Sequence, residues 1–146
     1  QNLPVLDRAV YASAEGTARG GYVLNPDVAD PQVLLLATVS ELALVVAAEK
    51  VLAERGVRAR IVSLPCWALF EEQSIAYRES VLPPTVTARV AVEAGVSLGW
   101  HKYVGASGQT LSIDRFGASA PAPTVFKEFG FTVERVVELA QRALGQ

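Results

Sequence analysis

Apolar positions cluster in this chain with two distinct rhythms. Val33 to Ala37 reads VLLLA, an unbroken apolar run that predicts a strand covered on both faces. Leu42, Val45, Val46, Glu49 and Leu52 then recur at three- and four-residue steps, which predicts a helix over about 39–55 with one buried face. Thr38-Val39-Ser40-Glu41 fits a capping box ahead of it, the Thr38 hydroxyl accepting from the Glu41 N–H and the Glu41 carboxylate reaching back. Gly56 follows as a left-handed helix cap. Residues 57–64 alternate up to Pro65 and predict a second strand. Strand, helix and strand in this order form a right-handed crossover with parallel strands.

Beyond Pro65 the segment Cys66-Trp67-Ala68-Leu69-Phe70 reads as loop or short helix, and 74–80 as a helix ended before Pro83-Pro84. Residues 87–92 predict a third strand, and Leu111-Ser112-Ile113-Asp114 a fourth. Trp100 to Val104 lies between glycines without a decisive period. Residues 117–123 are rich in Gly, Ala and Pro and predict a rigid loop, followed by a short helix near 125–129 that Gly130 ends. The last helix begins after Thr132, with Val133, Val136, Val137, Ala140 and Leu144 on one face. Near the start, Arg19 to Leu24 suggests a turn into a short edge strand that Asn25-Pro26-Asp27 closes. The pattern predicts a three-layer α/β fold with a small, largely parallel sheet.

The 146 residues suit one domain, 1–146, since domains run roughly 100–200 residues. At 51% hydrophobic residues the chain is not a disordered tail. A balance of 13 Lys and Arg against 15 Asp and Glu gives no basic footprint for nucleic acid. The most apolar stretch, 33–48, is shorter than a membrane span and carries Glu41 at its middle. A lone Cys excludes an internal disulfide framework, and a lone His excludes sites that need two. The chain contains no Met and opens on Gln1, so a processed chain or a segment of a longer protein is expected, the segment being favoured.

Candidate chemistry is thin. Cys66 follows a strand end and His101 is the one available base, but no nucleophile signature surrounds Cys66, and a single Cys is more often a small buried hydrophobe. His101 has no second ligand at metal-binding spacing. Gly105-Ala106-Ser107-Gly108 is not a dinucleotide fingerprint, and the loop after the first long strand has no glycine to let a pyrophosphate approach. Glu71 and Glu72 are expected at a solvated helix start, because sequence neighbours do not face one another on a helix. Asp114 and Arg115 read as an edge ion pair. Trp67, Leu69, Phe70, Tyr77, Trp100, Tyr103, Phe116, Phe126, Phe129 and Phe131 exceed the needs of one small sheet. Core packing is the plain account of each, while an exposed apolar face around Trp67 and Phe70 that docks on another domain is the expectation for the set.

Six segments in order resemble one family. Gln1-Asn2-Leu3, Arg19-Gly20-Gly21-Tyr22-Val23-Leu24, Tyr77-Arg78-Glu79-Ser80-Val81-Leu82-Pro83, Arg89-Val90-Ala91-Val92-Glu93-Ala94-Gly95, Phe116-Gly117-Ala118-Ser119-Ala120-Pro121 and Phe129-Gly130-Phe131-Thr132-Val133 look like the C-terminal domain of transketolases, along the whole chain. The resemblance implies a five-stranded mixed, mostly parallel sheet flanked by helices. It implies a parent enzyme that moves a two-carbon ketol unit between sugar phosphates with thiamine diphosphate and Mg2+ or Ca2+, in the pentose phosphate and Calvin pathways. The parent would be a cytoplasmic homodimer of three-domain chains, with its cofactor held between the first and second domains of opposite subunits.

By the same resemblance no catalytic, cofactor-binding or metal-binding residue is expected in this segment, and neither Cys66 nor His101 inherits a role. A family arginine that grips the sugar phosphate would immediately precede Gln1. Expected partners are the two other domains, the second subunit and, for the parent, sugar phosphates, with no nucleic acid and no membrane. The role left to the segment is structural, interfacial or regulatory. The rival is a free-standing small-molecule-binding α/β module, with its ligand at the carboxyl edge of the sheet near Cys66 and Gly117.

Overall fold

The structure is a computed structural model that describes residues 3–146; Gln1 and Asn2 of the first family-like segment lie outside the described residues. Its centre is the five-stranded sheet β1 (Tyr22–Val23), β2 (Val33–Ala37), β3 (Ala59–Ser63), β4 (Arg89–Val92) and β5 (Gln109–Leu111), in spatial order β1-β3-β2-β4-β5. β2 pairs in parallel with both β3 and β4, β4 pairs in parallel with β5, and β1 runs antiparallel to β3. This is the mixed, mostly parallel α/β sheet the sequence predicts.

The two-residue period of a strand explains why β2 is apolar throughout. Leu35 packs with α1 (Leu42–Glu54) and α6 (Val133–Ala143) on one face, through Val45, Leu52, Val136 and Ala140. Leu34 and Leu36 pack on the other face with Phe70 of α2 (Trp67–Glu71), Val81 of α3 (Ile75–Val81) and Tyr103 of α4 (His101–Val104). A polar residue at any of these positions would lose water on both sides of the sheet. A short helix α5 (Ala122–Glu128) precedes α6, whose Thr132 hydroxyl accepts from the Arg135 N–H.

Several boundaries move. The capping box at Thr38 does not form: α1 starts at Leu42, Glu41 occupies the cap position without a capping bond, and the Thr38 hydroxyl is engaged by Glu93. β5 ends at Leu111 rather than extending to Asp114, because the Ile113 N–H turns to the Gly95 carbonyl and the Asp114 carboxylate to the Ser97 N–H. Ala122 and Pro123 belong to α5 rather than to the loop before it. A 3-10 helix at Ala14–Arg19, capped by the Ser13 hydroxyl, has no counterpart in the sequence pattern.

Candidate functional site

The chain leaves β2 toward α1 on one face of the sheet and leaves β4 toward α4 on the other. Between the carboxyl ends of these neighbouring strands lies the switch point where open α/β sheets form their crevice. An open cleft of about 500 Å3 sits there, lined in part by Thr38, Cys66, Trp67, Glu93, Leu98 and Trp100.

Thr38 and Glu93 line it and join Glu41 and Ser40 in one polar cluster. Thr38 Oγ1 lies 2.6 Å from Glu93 Oε2 and 3.5 Å from Glu41 Oε2, and the Ser40 hydroxyl donates to Glu41 Oε1 at 2.9 Å. Glu41 is only 1% exposed. Burial pushes the half-buried Glu93 carboxyl above its ordinary value, the Thr38 hydrogen bond pulls it down, and the charge of Glu41 pushes it up again. Neither glutamate stood out in the sequence as chemistry. Glu41 had the signature of a helix cap and Glu93 that of a family segment; only the parallel pairing of β2 with β4 brings them together.

The wall of the cleft is aromatic. Trp67 and Trp100 meet edge to face with ring centroids 5.0 Å apart, and Tyr103 lies 5.2 Å from Trp67. Gly99 has φ +91°, and a Cβ there would press into the Trp67 ring, so the loop after β4 needs glycine to lie on the indole.

Cys66 lines this cleft, whereas His101 is exposed and does not line it, and no hydrogen bond joins the two among the described residues. Gly105 and Gly108 join α4 to β5 at the amino edge of the sheet, away from the switch point, and Gly117 lies on an exposed loop outside the cleft lining. Glu71 corrects the expectation of a solvated helix start. It ends α2 and accepts from Arg78 and Lys102, each at 2.8 Å, and from the Tyr103 hydroxyl at 3.0 Å. Its carboxyl is held below the ordinary range, first by the Lys102 bond, while burial and the Glu71 bond drive the Tyr103 phenol up. Asp114 and Arg115 are not an ion pair: Asp114 caps the Ser97 N–H, and Arg115 stacks 4.4 Å from the Phe129 ring centre.

The apolar surface extends beyond where the sequence suggested, and most of the aromatic residues expected in it are core. Phe70, Trp100, Tyr103 and Phe131 are core, and Trp67 is half-buried against Trp100. Leu69 of α2 and Ile75 of α3 remain exposed near that expected face, while Val39, Val96, Leu98 at 81% and Phe116 at 99% are exposed on the loops that follow β2, β4 and β5. Those strands are parallel neighbours, so the loops that carry this apolar rim all leave the carboxyl edge of the sheet. Leu3 and Val5 continue it, lining a groove with Val39.

The family model described as "Transketolase-like TK C-terminal domain" matches residues 20–132. A transketolase of Halalkalibacterium halodurans is 51% identical over 99% of this chain and 22% of its own length. A chloroplastic transketolase of Solanum tuberosum is 48% identical over 97% of this chain and 19% of its own length. Among solved structures, a Pichia stipitis transketolase in complex with sedoheptulose 7-phosphate superposes with a TM-score of 0.88 at 41% identity, over 99% of this chain and 20% of that one. The chain therefore spans about a fifth of the length of the relatives it matches.

Proposed function

The chain belongs to the transketolase family, where it corresponds to the C-terminal domain, and from that premise we propose that it is a non-catalytic docking domain of a ketol-transferring enzyme. The parent would be a cytoplasmic homodimer that uses thiamine diphosphate and a divalent cation to pass a two-carbon unit between sugar phosphates. Relatives solved with sedoheptulose 7-phosphate and xylulose 5-phosphate support the substrate class. Residues 1–146 would act as one domain beside two others and a second subunit. No helix among the described residues is long and apolar enough to cross a membrane.

The observation that carries the docking role is the apolar rim of Val39, Val96, Leu98 and Phe116. Burial of each such side chain is worth about 1.5–3 kcal/mol, so water favours a partner over that edge. The rest of the transketolase polypeptide is the partner for which the relatives' length leaves room.

In this reading thiamine diphosphate and its metal are held by the rest of the parent polypeptide. No trio of His, Cys, Asp or Glu side chains gathers among the described residues, and Val39 projects from the loop where a diphosphate would need bare backbone. The test is an assay of the purified chain with xylulose 5-phosphate, ribose 5-phosphate, thiamine diphosphate and Mg2+. The expected result is no turnover; turnover by the chain alone overturns the reading.

A second reading, a free-standing small-molecule-binding module, draws on the cleft beside Thr38 and Glu93. It requires a saturable rise in melting temperature with a nucleotide or sugar phosphate.

A further inference from the structure

We propose that Glu41 and Glu93 share one proton through Thr38, and that this proton clasps the loops after β2 and β4 together in a pH-dependent way. A threonine hydroxyl has one proton to donate and two lone pairs to accept with. Thr38 Oγ1 faces Glu93 Oε2 at 2.6 Å and Glu41 Oε2 at 3.5 Å. With both carboxylates ionised, Thr38 serves one of them and turns a bare oxygen toward the other. Glu41, at 1% exposure, would then keep the Ser40 hydroxyl as its one remaining side-chain donor. A buried carboxylate so poorly supplied is costly. One proton on Glu93 resolves the set: Glu93 donates to Thr38, and the Thr38 proton is freed to turn to Glu41 Oε2 at the start of α1.

The surroundings supply no substitute for that proton. Among the described residues no Lys or Arg pairs with either carboxyl; the ion pairs gather on Glu71 and Glu138. From the end of β3, the thiol of Cys66 lines the same cleft. From beyond β5, Asp114 holds the Ser97 N–H, and His101 of α4 acts on Asp114 rather than on Glu93. The one charge that acts on Glu93 is that of Glu41, and both it and burial raise the Glu93 carboxyl, against the pull of Thr38.

A carboxyl raised on folding stabilises the fold most below its unfolded value, and the contribution is lost as pH rises through the folded value. On the alkaline side two negative groups oppose each other across Thr38. The single Thr38 proton must then serve either Glu93 or Glu41, and repulsion between the two carboxylates weakens the hold on the loop that starts at Glu93 and carries Leu98 toward Trp100. The inference does not rest on the domain's place in a larger enzyme.

Carboxyl-detected NMR titration of the 13C-labelled 146-residue chain tests it. Glu93 is expected to release its proton above the ordinary glutamate value of about 4.3, and Glu41→Gln is expected to shift that step downward. Hydrogen exchange, corrected for intrinsic rates, reads the clasp. Protection of the Ser97 and Trp100 amides should fall as pH passes the Glu93 step in the wild type. In Glu93→Gln, which keeps a neutral donor toward Thr38, it should not vary with pH. Two carboxyls that ionise independently in the ordinary range, or loop protection that does not follow the Glu93 step, overturn the proposal. The wild-type titration decides even if Glu41→Gln does not fold.

Discussion

The Arg89 guanidinium donates to the Tyr103 carbonyl at 2.6 Å, tying the first residue of β4 to the last turn of α4. It also donates to the carbonyls of Val86 and Pro83, each at 2.8 Å, and of Leu82 at 3.3 Å. One half-buried cation thus reaches four backbone carbonyls, of which only that of Pro83 is also seen accepting a backbone turn bond, from the Val86 N–H. Arg89→Leu removes all of these donors while keeping the aliphatic stem, and should cost about 2–4 kcal/mol in urea unfolding, since each stranded acceptor costs about 1–3 kcal/mol and relaxation toward water recovers part. Arg89→Lys should fall between, because an ammonium lacks the planar fork. A loss below 1 kcal/mol for the leucine variant would show the carbonyls to be solvated already.

Asn25 closes the opposite side of the sheet. Its amide donates to the Ala59 carbonyl at 3.0 Å, and its side-chain oxygen accepts the Ile61 N–H at 2.7 Å, both in buried surroundings. The side chain stands in for the strand that β1 is too short to supply. Asn25→Ala should destabilise by about 1–3 kcal/mol, and the Ile61 amide should exchange faster in native-state hydrogen exchange.

Glu71 makes a pH prediction of the usual carboxylate sign. Its carboxyl is lowered on folding, chiefly by the Lys102 bond. Its contribution is therefore present above the unfolded value near 4.3 and is lost as pH falls through the folded value. Glu71→Gln should flatten the acid limb of the stability profile and leave the limb above neutrality unchanged. An acid limb identical to wild type would show that the Arg78 and Lys102 pairs are too solvated to count. This sign is opposite to that of Glu93.

Gly20 has φ +76°, and a Cβ there would fall inside contact distance of the Cys66 carbonyl oxygen and the Phe70 nitrogen, both backbone atoms of the α2 entry. The left-handed conformation alone costs a non-glycine residue about 1–2 kcal/mol. Gly20→Ala should therefore lower the melting temperature more than Gly56→Ala, where the φ is similar but the space is open. Equal losses at the two positions would mean that conformation, rather than packing, sets the cost.

The apolar rim predicts a separation of folding from association. Leu98→Glu combined with Phe116→Glu should change unfolding free energy by less than about 0.5 kcal/mol, since both side chains already face water. The same pair should weaken binding to a transketolase polypeptide that lacks this domain, as read by titration calorimetry. Unchanged binding would place the docking surface elsewhere.

Much of the fold was legible because its signals are local. Five apolar residues in a row at 33–37 can be covered on two faces only inside a sheet, and the three- and four-residue steps from Leu42 to Leu52 fit one helical face. The short elements were less legible. Residues 101–104 make one turn of helix, too brief to display a period, and the Ala14–Arg19 turn depends on a cap more than on a pattern. Thr38 shows the limit of motif reading. Its spacing to Glu41 satisfies a capping box, but Glu93, 55 positions away, makes the shorter bond.

By itself the sequence determined the longer strands and helices, the parallel crossover, the family resemblance and the absence of a nucleophile signature, since each follows from residue types near one another in the chain. The tertiary structure alone decided which aromatic side chains are core and which apolar ones form the rim. It also decided that Glu41 and Glu93 face one hydroxyl, and that Arg89 answers four carbonyls. Those relationships depend on which strand ends lie side by side and on how much water remains between them. Neither quantity is encoded in any single stretch of the chain.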